Sequence, residues 1–135
     1  MSTNAQLEKV PASLPIKSVV FQYDYSVHGG AVGSIGTNIF IPSSSHVTKV
    51  YFEKFTAFTS GGSATVAVTL VSAGDLLAAT AYNNAIFTAN IGTGIPTGTP
   101  ATMVKNTNST ETEVLFTIAT AALTAGKYNI HIEYK

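Results

Sequence analysis

The sequence contains no cysteine. A disulfide framework and a cysteine-ligated zinc site are therefore excluded, and a reducing compartment suits the chain. Arginine is also missing; all seven cations are lysines. Nucleic-acid-binding surfaces are basic and rich in Arg, so no nucleic-acid partner is expected. Charge of either sign is scarce. Asp, Glu, Lys and Arg make up 10% of the 135 residues, with a formal net charge of zero, against roughly 25% in ordinary domains. A surface this neutral repels itself weakly and favours association. No apolar run approaches the ~18 residues of a membrane span, so no membrane partner is expected. Met1 to Lys9 holds no apolar core of the kind an export signal needs, so no signal peptide is expected.

What is present is strand pattern. The organising stretch is His46 to Val71. An apolar-rich run from Val47 to Phe58 is followed by Thr59-Ser60-Gly61-Gly62-Ser63 and a second run, Ala64 to Val71. In the second run Val66, Val68 and Leu70 alternate with Thr65, Ala67 and Thr69, the period of a strand with one buried face. Two glycines between the runs predict a β-hairpin with a tight, positive-φ reversal.

Around it, residues 1–15 follow neither period and read as an N-terminal arm. Ile16 to Tyr25 is a strand with Phe21, Tyr23 and Tyr25 on one face. His28-Gly29-Gly30 and Gly33 make a turn, and Ile35 to Ile41 a second strand ending at Pro42. Ser72 to Tyr82, with Asp75 as N-cap, allows one short helix or helical turn. Ala85 to Asn90 reads as a weak strand, and Asn90 to Pro100, rich in Gly and Pro, as a long exposed loop. Ala101 to Lys105 and Thr112 to Ala119 are strands, and Thr124-Ala125-Gly126 is a turn. Lys127 to Tyr134 alternates most regularly, with Tyr128, Ile130, Ile132 and Tyr134 inward and Lys127, Asn129, His131 and Glu133 outward.

These add to about eight short strands with no crossover helix, which excludes parallel βαβ units. The expected fold is all-β: one antiparallel two-sheet β-sandwich over residues 16–135, an eight-stranded jelly roll being favoured and an immunoglobulin-like sandwich the alternative. Nothing supplies the Cys…Trp…Cys core of a true immunoglobulin domain.

Chemistry is thinly represented. His28, His46 and His131 show no metal-ligand spacing, and His131 reads as a solvated strand residue. Glu111 and Glu113 share a strand face and read as a solvated edge. No serine sits in G-x-S-x-G, and the glycine pairs are not followed by a phosphate-binding lysine. No catalytic residue, metal ligand or cofactor is assigned, and the expectation is a protein that is not an enzyme.

Three stretches have a more particular look: Thr59 to Leu70 (TSGGSATVAVTL), Leu76 to Tyr82 (LLAATAY) and Ile118 to Tyr134 (IATAALTAGKYNIHIEY). With residues 23 to 35, YDYSVHGGAVGSI, they resemble small virion structural proteins of tailed bacteriophages, of the capsid decoration, cement or head-fibre type. The resemblance covers most of residues 20 to 134. It implies a β-sandwich on the capsid surface, a capsid decoration or cement protein stabilising the shell, the phage major capsid protein as partner, and a homotrimer. Candidate protein contacts are Leu7, Val10 and Leu14 in the arm and Ile91 and Ile95 in the 90–100 stretch. A receptor- or glycan-binding module of a head fibre or tail is the alternative, with exposed Tyr82 and Phe87 as its aromatic patch. A shell-forming jelly roll is disfavoured by the short chain and by an arm with Lys9 as its one cation.

Overall fold

A computed structural model describes residues 15–135, apart from the side chains at 94 and 95. Nine strands form two antiparallel sheets. They are β1 (Lys17–Asp24), β2 (Gly33–Ile41), β3 (His46–Ser60), β4 (Thr65–Thr69), β5 (Leu77–Ala81), β6 (Ile91–Thr97), β7 (Val104–Lys105), β8 (Thr112–Ala119) and β9 (Leu123–Tyr134). Sheet A has the order β1-β9-β3-β6, with the two-residue β7 also on β3. Sheet B has the order β2-β8-β4-β5. This is the two-sheet sandwich that the alternation predicts. The pairing is nested: β1 with β9, β2 with β8, β3 with β6 and β7, β4 with β5.

The predicted hairpin is corrected. β3 pairs with β6, β7 and β9, whereas β4 lies in the other sheet between β8 and β5. Residues 61–64 carry the chain from one sheet to the other. Sheets stack ~10 Å apart, and four extended residues reach ~13 Å, so the connection has the needed span. Alternation reports one buried face for each run, and a sandwich buries the same face whether two runs pair or oppose each other. Gly61 and Gly62 do not adopt positive φ; a connection across the sandwich does not require it.

Four local expectations also change. Ser72 to Tyr82 is a turn followed by β5, not a helix. The Asp75 carboxylate accepts the N–H groups of Leu70, Val71 and Ser72 at 2.7, 2.9 and 3.0 Å. It thus caps the chain behind it, where a helix N-cap would serve residues ahead. Ala85–Thr88 is one helical turn, α2, rather than a strand; Asn84 caps it by accepting the Ile86 N–H at 3.1 Å. Residues 90–100 hold edge strand β6, and a 3₁₀ turn follows at Pro100–Thr102. Thr124 to Gly126 already belong to β9, the reversal lying just before at Thr120, φ 72°. An earlier single helical turn, α1 (Tyr25–His28), follows β1.

The core is one cluster between the sheets, and its centre is aromatic. Tyr23 stacks on Phe116 at 4.8 Å, and Phe58 on Tyr128 at 4.1 Å. Phe87 meets Phe52 and Phe58 edge-on at 5.2 and 5.1 Å. α2 exists to deliver that ring: Phe87 is fully buried. Such edge-to-face pairs add about 0.5–1.5 kcal/mol each beyond area burial.

Candidate interaction surfaces

Strand alternation sends one side chain in two away from the core, so each sheet has an outer face set by register. On sheet A the rows run Ser18–Glu133–Lys49–Thr97, then Val20–His131–Tyr51–Thr93, then Gln22–Asn129–Glu53–Ile91. These rows form a hydrogen-bonded chain of polar groups. Gln22 Nε2 donates to Asn129 Oδ1 at 3.0 Å, and Asn129 Nδ2 donates to Glu53 Oε1 at 3.4 Å. His131 Nε2 lies 3.0 Å from the same oxygen. The His131 ring stacks on Tyr51 at 4.5 Å and 3°, and Lys49 Nζ sits 5.5 Å from the Tyr51 ring centre. His131 is therefore a member of a cross-strand network rather than an isolated solvated residue.

The outer face of sheet B is different in kind. Its rows run Phe40–Glu113, Gly36–Leu115–Thr69 and Ser34–Thr117–Ala67. Charged residues in sheet A strands number two on β1, three on β3, one on β7 and two on β9. Sheet B strands carry only Glu113. That carboxylate folds back over Gly36 and accepts the Asn38 N–H at 2.9 Å. Phe40, 42% exposed, stands at the β2 edge of this face. Across β8, β4 and β5, Ala67, Thr69, Gly74, Ala78, Ala79 and Thr117 line a shallow hollow of about 220 Å³.

Of the contacts expected from sequence, Leu7, Val10 and Leu14 lie outside the described residues. Ile91 begins β6 and is 63% exposed. Ile95 lies in the same strand, and its side chain is outside the described part. The aromatic patch expected of a glycan-binding module is corrected: Phe87 is wholly buried, and Tyr82 is half-buried and packs on the core. Among the described residues no three His, Asp or Glu side chains converge as metal ligands.

The perturbed groups are structural. Asp24 caps α1; the Ser26 hydroxyl and N–H, both donating to it, hold its carboxyl below the usual range. Burial pushes the Tyr23 phenol up to about 12, with neighbouring Tyr25 and Asp24 adding to the effect. Its hydroxyl donates to the Gly29 carbonyl at 2.6 Å. Burial also raises Tyr128, against the lowering effect of the Phe58 N–H.

Sequence reasoning missed Asn106. It is fully buried; its Nδ2 donates to the carbonyls of Ile41, Pro42 and Thr110, and its Oδ1 accepts from Asn108 and Thr112. It ties the β7–β8 connection to the end of β2. Asn at a strand end reads as turn chemistry, and only tertiary structure shows it buried.

No protein-family model and no curated protein matches the sequence. Two solved structures are similar in fold. One is a chain of the capsid asymmetric unit of cyanophage Pam1, with TM-score 0.63 and 17% identity, covering 98% of this chain and 96% of that one. The other is a chain of the acidic stable capsid structure of Helicobacter pylori bacteriophage KHP30, with TM-score 0.60 and 15% identity, covering 88% and 86%. At these identities the likeness establishes a shared two-sheet sandwich fold.

Proposed function

We propose that the chain is a structural protein of a bacteriophage virion. In this reading it is a capsid decoration or cement protein that binds the major capsid protein and stabilises the shell. One observation carries the reading: the fold matches chains from two phage capsids over 98% and 88% of this chain. The nested strand pairing supports reading the sandwich as a jelly roll, an architecture used in viral capsids. The composition supports the same role. A surface poor in charge and rich in hydroxyls suits contacts whose strength comes from covered area and repetition rather than a reactive group. A trimer about a local three-fold axis would multiply weak contacts with the shell. Leu7, Val10 and Leu14 would then serve as anchoring side chains, with Ile91 at the β6 edge.

The test is mass spectrometry of purified virions of the encoding phage, followed by binding of the purified chain to capsids that lack it. The expected result is the chain in stoichiometric amounts on the particle and a rise in the shell's melting temperature on rebinding. Absence from purified virions would overturn the reading. Light scattering of the free protein at several concentrations tests the trimer.

A further inference from the structure

We propose that the outer face of sheet B is a self-association surface, on which Phe40 of one copy enters the hollow between β4 and β5 of a second copy. Three features carry this, and none depends on the virion reading.

The first is charge. A charged partner patch would lose its hydration against sheet B and find no counter-charge there, because the lone carboxylate, Glu113, is already engaged by the Asn38 N–H. The fitting partner is itself uncharged. Between this chain's two sheet faces, sheet B is the one nearly free of charge, its one carboxylate being held by a backbone N–H, so a second copy of it qualifies.

The second is shape. Phe40 pairs with Glu113 at the β2 edge. The hollow spans β8, β4 and β5, from Thr117 and its partner Ala67 past Thr69 and Gly74 to Ala78 and Ala79. Knob and hollow thus share one face, separated by about two strand spacings across the sheet and one to two rows along it. A two-fold axis in the plane of the face, perpendicular to the line from knob to hollow, exchanges the two. It brings each Phe40 over the other copy's hollow, so one contact is made twice, as a closed isologous dimer requires.

The third is area. Four strands of about five residues give a face of roughly 300 Å², well under the ~800 Å² per partner of a stable complex. The dimer is therefore weak in free solution and gains where copies are concentrated or held side by side.

The absence of cysteine makes the test clean. Phe40→Cys and Ala79→Cys chains are purified separately, mixed at high concentration and mildly oxidised. Both positions are exposed, and folding of each chain is checked by circular dichroism. Disulfides between copies report approach of the two sites to the ~5.5 Å Cα separation a bridge needs. The expected result is a mixed dimer in clear excess over random pairing. Mixed dimers at the random share, or none, would overturn the proposal. Val20→Cys, on sheet A, gives the background of chance collisions. In a second arm, Phe40→Ser should weaken concentration-dependent association in sedimentation roughly tenfold or more, from loss of a buried phenyl group. Unchanged association would likewise overturn it.

Discussion

Removing one oxygen from the core, in Tyr128→Phe, tests how the two sheets and α2 are held together. The Tyr128 hydroxyl donates to the Phe87 carbonyl at 2.7 Å and accepts the Phe58 N–H at 3.1 Å. Phe58 lies where β3 shifts register against β9, and Phe87 lies in α2. The hydroxyl thus joins an irregular stretch of one strand to a helix that no ladder reaches. Tyr128→Phe keeps the ring and its 4.1 Å stack on Phe58. Its cost is then that of two buried backbone groups losing a partner. Each such group costs about 1–3 kcal/mol; with some relaxation the loss should be about 2–4 kcal/mol. Domain stabilities run about 5–15 kcal/mol, so this is a large fraction. With a urea slope of about 1–3 kcal/mol per molar, the midpoint should fall by roughly 1–2 M at unchanged slope. Tyr51→Phe, on the outer face of sheet A, should shift it far less. Amide exchange at Phe58 should speed up with the midpoint shift. A loss below about 0.5 kcal/mol, with Phe58 still protected, would refute the assignment of the hydroxyl as the shared partner.

Alkaline titration reads Tyr23. Unfolded tyrosine ionises near 10 and the folded group at about 12; between these values the unfolded chain loses its proton first, so stability should fall across that window. Tyr23→Phe should flatten this part of the pH–stability curve, and an unchanged slope would count against the buried phenol. Asp75→Ala removes the acceptor of three N–H groups and should cost about 2–3 kcal/mol in urea unfolding, with Leu70 and Val71 amides exchanging faster. Gly92→Ala would place a methyl on the Ile86 carbonyl; it should cost about 2 kcal/mol or more and loosen β6 against α2, seen as lost amide protection in both.

How much of this was legible in the sequence depends on the range of the interaction. Several strand positions are set locally and were readable, whereas β5 and β6 were not. β8 runs Thr112–Ala119 as predicted, and Tyr128, Ile130 and Ile132 face inward. Where a local rule had two outcomes, tertiary structure decided. Ala85 to Asn90 has the composition of a weak strand, yet Asn84 caps a helical turn because that geometry drops Phe87 between Phe52 and Phe58. Asp75 suits an N-cap, yet it serves the N–H groups behind it. The candidate surfaces were less legible still. Alternation placed Asn129 and His131 outward, but their partners Gln22 and Glu53 lie 107 and 78 residues away in sequence, counted from Asn129 and His131 respectively. Phe40 lies on β2 and the hollow is built from β8, β4 and β5, and no spacing relates them.

The misread hairpin shows why nesting matters. In a nested fold only the innermost pair, β4 with β5, joins consecutive strands; every other pair closes a longer loop, up to Lys17 against Tyr134. Local turn signals therefore identify where the chain reverses, but not whether it reverses within a sheet or across the sandwich. Gly61 and Gly62 illustrate the point. A two-residue hairpin of the favoured type would demand positive φ there, and an inter-sheet connection does not. The same nesting leaves β5 and β2 as the edges of sheet B, with an outer face nearly free of charge between them. The arrangement that hides strand pairing from the sequence is thus also the one that brings Phe40 and its hollow onto a single face.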